Sequence, residues 1–219
     1  MAQEREPDLP PAADRTADDA DRPIVAFDFD GTLTVRDSYT AFLKWRTPPA
    51  AWVLGALRLV PAALAYLIHR DRGRIKADAT KVFLAGVSRE RLEADAIAFA
   101  AQFSRSLLRP DAVAAWKNWR KQQVQLIIVT ASPEEVVAPF ARGLAADGLL
   151  GTHLAYDDRD RVSGAFGSAN CRGPEKVERL RATYGPDVRL KAAYGDTSGD
   201  TEMLAIAEEP YFRVFSGRP

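Results

Sequence analysis

Cysteine, histidine and net charge are what this chain has least of. Its single cysteine, Cys171, excludes an intrachain disulfide, and two scattered histidines leave no set of ligands for a zinc site. Such sparing use of cysteine fits a reducing compartment. Thirty basic residues balance 30 acidic ones, so no global field attracts nucleic acid and no nucleic-acid partner is expected. Residues 1–23 lack aromatics altogether; acidic and rich in proline and alanine, they cannot bury enough surface to offset ordering entropy. They are expected to be a disordered acidic tail. The tail also has no basic segment followed by an apolar one, so it is not a secretory signal. Internal repeats are missing too.

What is present suffices for a core. With 219 residues, 47% of them hydrophobic, the chain fits one domain, or one domain carrying an insert. From Ile24 the pattern changes to short aliphatic runs at 24–29 and 125–129, with a weaker one at 189–194. Amphipathic stretches at 110–121, 133–146 and 174–184 are spaced as helices. Strands alternating with helices predict an α/β fold, a parallel sheet covered on both faces, with function at the carboxyl ends of its strands.

The first run, IVAFDFDGTLT, drives into Asp28 and Asp30 and leaves through Gly31. A strand period of two points both carboxylates the same way, and two carboxylates that close repel unless a cation lies between them or one holds a proton. A strand followed by an Asp-Gly turn would explain Asp30 and Gly31, but not an aspartate at the end of a buried strand. The second run ends in Thr130 at the same rim. Ser132-Pro133-Glu134-Glu135 reads as a capping box with proline at the first helical position, which makes Ser132 a helix cap. Lys176 falls in the first turn of a helix opening at Pro174, where the helix dipole disfavours a cation; a phosphate partner would explain it. Asp196 leaves the third run and is a metal candidate, whereas Asp200 reads equally as a metal ligand or as an acid at a helix N-terminus. Asp37 reads as the N-cap of the helix that follows.

Asp28-Phe29-Asp30-Gly31-Thr32, then Thr130, Lys176 and Gly195-Asp196 with Asp200, resemble the four ordered motifs of the haloacid dehalogenase superfamily of phosphatases. The resemblance implies a doubly wound Rossmann-like core at 24–37 and 108–219. It also implies a helical C1 cap at 38–107, as in the phosphoserine phosphatases. It further implies that Asp28 attacks phosphorus while Asp30 serves as acid and base. Thr130 and Lys176 would neutralise phosphoryl oxygens, with Gly31 and Ala131 beside the phosphate. Mg2+ would be held by Asp28, Asp196 and the main-chain carbonyl of Asp30, with Asp200 nearby. Asp37 stands where the phosphoserine phosphatases carry an acid for the substrate's amino group, usually a longer Glu. The stretch CRGPEKV (171–177), with the apolar cap segment, is similar to the phosphatidylglycerophosphatase C family.

That apolar segment, residues 50–68, contains one charge, Arg58, which also stands as a candidate for substrate specificity. At ~1.5 Å per residue, nineteen residues could just span a bilayer. A span would put Asp28 and Thr130 on opposite sides and dismantle the site, and mid-segment Arg58 would cost roughly 2.5–3.5 kcal/mol. Two readings stand. In one, a helix pair broken at Pro61 packs within the cap on the Leu92/Ala96/Phe99/Phe103 stripe. In the other, the segment lies in a membrane interface, preceded by Lys44, Trp45 and Arg46 and closed by Tyr66, His69, Arg70, Arg72 and Arg74. The expected protein is a cytoplasmic phosphomonoester hydrolase, peripheral on the inner face of the membrane and acting on a lipid phosphate such as phosphatidylglycerophosphate. The alternatives are a soluble phosphatase of small metabolites, of the phosphoserine type, and a non-catalytic membrane-associated regulator.

Overall fold

The computed structural model describes residues 22–69 and 72–219, so the expected tail at 1–23 lies outside the described residues apart from Arg22 and Pro23. β1 (Ile24–Phe27) is followed by a helical insert before β2 (Gln125–Pro133), then β3 (Gly148–Thr152). The pair β4 (Leu154–Tyr156) and β5 (Val162–Phe166) is antiparallel, and β6 (Leu190–Gly195) and β7 (Ala207–Phe212) complete the strands. The main sheet is parallel throughout, in the order β3-β2-β1-β6-β7.

Burial on both faces of β1 follows from its sequence. Val25 and Phe27 enter one apolar cluster with Leu126, Ile128 and Trp116; Ile24 and Ala26 enter another with Ile127, Val129, Leu180 and Met203. Unbroken aliphatic runs of this kind belong to strands covered by helices on each side, the doubly wound arrangement. The chain runs from β1 outward to β2 and β3, then crosses back to β6 on the other side of β1. The carboxyl end of β1 is therefore the topological switch point, where such sheets bind ligands.

The insert comprises α1 (Ser38–Arg46), α2 (Pro49–Arg58), α3 (Val60–His69), α4 (Arg72–Leu84) and α5 (Arg89–Leu107), before α6 (Pro110–Arg120) leads into β2. Asp37 caps α1 by accepting the Thr40 N–H at 2.7 Å, and Ser88 caps α5. Among the described residues, the aromatic rings that meet Phe99 of the α5 stripe come from outside residues 50–68. Phe99 meets Phe42 and Trp45 of α1 and Phe140 of α7 (Glu134–Gly143), at ring distances of 5.5, 5.6 and 6.0 Å. Instead α2 rests on α4. Trp52 stacks on Phe83 at 4.7 Å, and Gly55 has no Cβ to obstruct that ring. The break between α2 and α3 falls at Leu59, two residues before Pro61.

The β4–β5 hairpin reaches from the core onto the insert. Gly86 N–H donates to the Val162 carbonyl and Val162 N–H to the Val87 carbonyl, both at 2.8 Å, and Arg89 N–H donates to the Asp160 carbonyl at 2.9 Å. After the hairpin come α8 (Pro174–Tyr184) and α9 (Thr201–Ala205). No helix among the described residues is long and apolar enough to cross a membrane.

Candidate functional site

β1 ends at Phe27, and Asp28 is the first residue beyond it, its N–H bonded to the Tyr194 carbonyl at 2.9 Å. The strand alternation that predicts Asp28 and Asp30 on one side stops there. A tight turn over Phe29–Leu33 brings both aspartates to one cavity instead. Gly31 makes that turn possible, with φ +91°, where a Cβ would also collide with the Asp196 carboxylate. Thr34 closes the turn by donating its N–H to the Phe29 carbonyl at 3.0 Å.

On one side of the cavity lies Lys176, in the first turn of α8, with only 1% of its surface exposed. Its ammonium donates to Asp28 Oδ1 at 2.6 Å, Asp200 Oδ1 at 2.7 Å and the Val129 carbonyl at 2.7 Å. Three donors thus find three acceptors, which is what allows a cation to be buried at an unfavourable helix end. Burial alone would discharge it, but Asp28 and Asp200 outweigh that and hold it charged, well above the usual lysine range. The Asp28 carboxyl is pushed up to about 7 by burial, against the pull of Lys176. Asp200 is buried as well, yet Lys176 and hydrogen bonds from Thr197 bring its carboxyl below the ordinary value. Its Oδ2 accepts the Thr197 N–H at 2.9 Å and the Asp196 N–H at 3.2 Å, so this carboxylate holds its own loop together and anchors Lys176.

Asp30 faces the other side. Its Oδ1 accepts the Ser38 N–H at 2.7 Å, and its Oδ2 accepts a short hydrogen bond from the Ser132 hydroxyl. Burial, then the nearby Asp37, raises its carboxyl above the usual range. Ser132 is not the predicted helix cap: it lies in β2, and α7 begins at Glu134 without a side-chain cap. The hydroxyl is drawn inward because buried Asp30 needs donors, while Glu135 accepts from Tyr156 at 3.0 Å instead of closing a capping box.

Lys76, on α4 of the insert, is a site residue that sequence reasoning missed. Its ammonium is 3.1 Å from Asp37 Oδ2, 3.2 Å from Ser132 Oγ and 3.9 Å from Asp30 Oδ2. A buried hydrogen bond between Tyr39 and Thr80 at 2.7 Å holds α4 against α1 and so sets its position. In the sequence Lys76 is one of several cations following an apolar run, and no spacing distinguishes it. Arg172 and Asn170 were missed too; both line the cavity, and Arg172 donates to Thr197 Oγ1 at 3.2 Å and Ser198 Oγ at 3.1 Å. Arg172 sits inside the quoted CRGPEKV stretch, which was the available signal.

The cavity, about 90 Å³, is lined by Asp28, Asp30, Asp37, Lys76, Thr130 and Lys176 among others. Ala131 and Asp200 also line it. Thr130 is fully buried and its hydroxyl accepts the Ser132 N–H at 3.1 Å. Arg58 is not brought here: it stands exposed on α2, because that helix turns only Trp52 and Gly55 inward. Asp28, Asp196 and Asp200 each offer a carboxylate oxygen within 4.8 Å of the others. Asp196 Oδ1 is buried with no hydrogen-bond partner, an unmet acceptor of the sort a hard cation satisfies. Its carboxyl is raised by burial and by Asp200. The donor set is all oxygen, which fits a magnesium-like ion and not zinc.

Two strains of Caulobacter vibrioides carry a relative, Protein CicA, 59% identical over 196 residues that cover 90% of this chain and 88% of theirs. Among solved structures, a Bordetella pertussis Tohama I protein of unknown function has the same fold. It is 24% identical, with a TM-score of 0.72 over 86% of this chain and 88% of that one. A substrate-bound phosphoserine phosphatase is 16% identical, with a TM-score of 0.60 over 88% and 86% of the two chains. The profile of the haloacid dehalogenase-like hydrolases matches residues 25–205, a range that takes in Asp28, Thr130, Lys176 and Asp196 together. Spanning most of the chain and every element of the cavity floor, that match makes this protein a member of the haloacid dehalogenase-like hydrolases.

Proposed function

We propose that the chain is a phosphomonoester hydrolase working through an aspartyl-phosphate on Asp28, with a lipid phosphate such as phosphatidylglycerophosphate as its substrate. The observation that carries the reaction class is the division of labour between two neighbouring carboxylates. Asp28 is held by the Lys176 ammonium at 2.6 Å, while Asp30, with a raised carboxyl, is held by Ser38 and the Ser132 hydroxyl. Two neighbouring carboxyls in different surroundings, one beside a cation and one raised by burial among neutral donors, are the pairing a nucleophile and an acid need.

In the first step an Asp28 oxygen bonds to phosphorus, the ester P–O bond breaks with its electrons, and Asp30 gives its proton to the departing alkoxide. In the second, Asp30 takes a proton from water, the water oxygen bonds to phosphorus, and the bond to Asp28 breaks to release inorganic phosphate. Lys176 and Thr130 would offset charge on the phosphoryl oxygens in both steps. Asp28, Asp196 and the Asp30 carbonyl would hold Mg2+, with Asp200 positioning Lys176 instead of ligating. Magnesium bound there supplies positive charge that lessens the repulsion between carboxylate and phosphate.

A soluble phosphoserine-type enzyme is the second reading, favoured by the fold shared with a phosphoserine phosphatase. Against it, the Asp37 carboxylate that would receive a substrate amine is already paired with Lys76 at 3.1 Å. The third, a non-catalytic membrane-associated regulator, has no need of a buried lysine between two aspartates. A phosphatase screen with magnesium, offering phosphoserine and detergent-dispersed phosphatidylglycerophosphate side by side, decides among them. Faster turnover of phosphoserine sinks the lipid reading, and no metal-dependent turnover of any ester sinks the enzyme. Asp28→Asn should lower kcat by about 10⁴-fold or more with the fold intact, since the amide is nearly isosteric but a poor nucleophile.

A further inference from the structure

The helix pair α2–α3 is the place where this molecule departs most from a covered core. Of the large apolar side chains exposed among the described residues, Val53, Leu54, Leu57, Val60 and Leu64 all belong to it, with Leu57 63% and Leu64 58% exposed. Only Trp52 and Gly55 of α2, and Leu59 at the break after it, turn inward or partly inward. Five exposed apolar side chains within twelve residues on two successive helices mark an interaction surface.

Charge indicates what covers it. Residues 41–81 carry eight lysines and arginines against two aspartates, net +6, whereas the whole chain sums to zero, leaving −6 elsewhere. Arg46 and Lys76 are engaged internally, with Asp95 at 3.3 Å and Asp37 at 3.1 Å. Lys44, Arg58 and Lys81 are exposed, and Arg58 lies in the apolar face itself. A second copy pairing through the same face would set Arg58 against its own image. An anionic surface that is apolar beneath meets both requirements at once.

We propose that the outward face of α2–α3 is a docking surface for an anionic phospholipid bilayer, binding peripherally through Leu54, Leu57 and Leu64 with Arg58 at the headgroups. The proposal deepens the lipid-phosphate reading and rests on it for its purpose. α4, the next helix in the chain after α3, carries Lys76 at the cavity. The docking helices and the cavity wall are thus successive segments of one chain.

The test is flotation of the full chain with phosphatidylcholine vesicles, with or without phosphatidylglycerol. Wild type should float with the anionic vesicles and be released by high salt. Leu54→Asp combined with Leu57→Asp should cut partition at least about tenfold, and Arg58→Ala about fivefold. Circular dichroism and turnover of a soluble phosphomonoester should be unchanged in both variants. Wild type that stays at the bottom, or a double variant that floats as well as wild type, overturns the proposal. So does a concentration-dependent dimer that the double variant abolishes without any vesicle binding, since a second copy would then cover the face. Detergent-dispersed phosphatidylglycerophosphate separates the two claims. Its hydrolysis by a protein that never floats sinks the docking face alone; flotation without its hydrolysis keeps the docking face and sinks the substrate.

Discussion

The carboxyl end of β1 and the α2–α3 pair invert the usual distribution of side chains in opposite ways. At the first, the ionisable side chains of Asp28, Lys176 and Asp200 are buried; at the second, Val53, Leu54 and Leu57 stand in solvent. The cost is met differently. The buried ions compensate one another, each Lys176 donor having an acceptor within 2.7 Å. The exposed leucines have nothing comparable within the described chain. A satisfied violation is machinery complete in itself, whereas an unsatisfied one calls for something outside the molecule.

Breaking the buried set should have the largest effect on stability. Lys176→Met leaves Asp28 and Asp200 facing each other without their cation, and should lower unfolding free energy by about 3–5 kcal/mol in denaturant titrations. An unchanged midpoint would mean that the ion triad is not what holds α8 to the strand ends. On α2, the inward face should respond where the outward one does not. Gly55→Val forces a side chain into the Phe83 ring and should cost about 1–3 kcal/mol. Leu57→Ser, on the opposite face, should stay within about 0.5 kcal/mol.

pH probes the same buried set. With the Asp28 carboxyl raised from 3.8 to about 7, the folded chain holds a proton there that the unfolded chain has lost. Stability of protein stripped of divalent ions should therefore fall as pH rises from about 4 to about 7. The raised carboxyls of Asp30 and Asp196 act in the same direction. Asp200, lowered, has its stabilisation complete above 3.8, and Lys176, raised, keeps its own up to its ordinary 10.5, so neither opposes the trend in that window. Melting temperatures of wild type and Asp28→Asn across that range check it: the variant should show a shallower slope, and equal slopes would place the titration elsewhere.

Much of the sheet was legible in the residues. The runs at 24–29 and 125–129 became β1 and β2, and the helix predicted at 174–184 is α8 to the residue. β3 and β7 escaped because their local signals are poor. β3, GLLGT, has glycine near both ends, and β7 carries Pro210 at the sheet's edge, where a missing donor is tolerated. Within the site, Asp28, Thr130, Lys176 and Asp196 announced themselves by falling at strand ends or in a helix's first turn. Ser132 misled because Ser-Pro-Glu-Glu is a sound local cap; the buried Asp30 carboxylate outbid it for the hydroxyl.

By itself, the sequence determined that aliphatic strands would end in aspartates and that a lysine would sit where a helix repels it. Both are local statements about period and dipole. Only the tertiary structure decided that Lys76 would reach the cavity from 46 residues beyond Asp30, that Asp200 would anchor Lys176, and that α2–α3 would be left uncovered on one side. Those outcomes depend on which helix wins a shared neighbour. Phe99 of α5 meets rings from α1 and α7, while Trp52 of α2 stacks on Phe83 of α4.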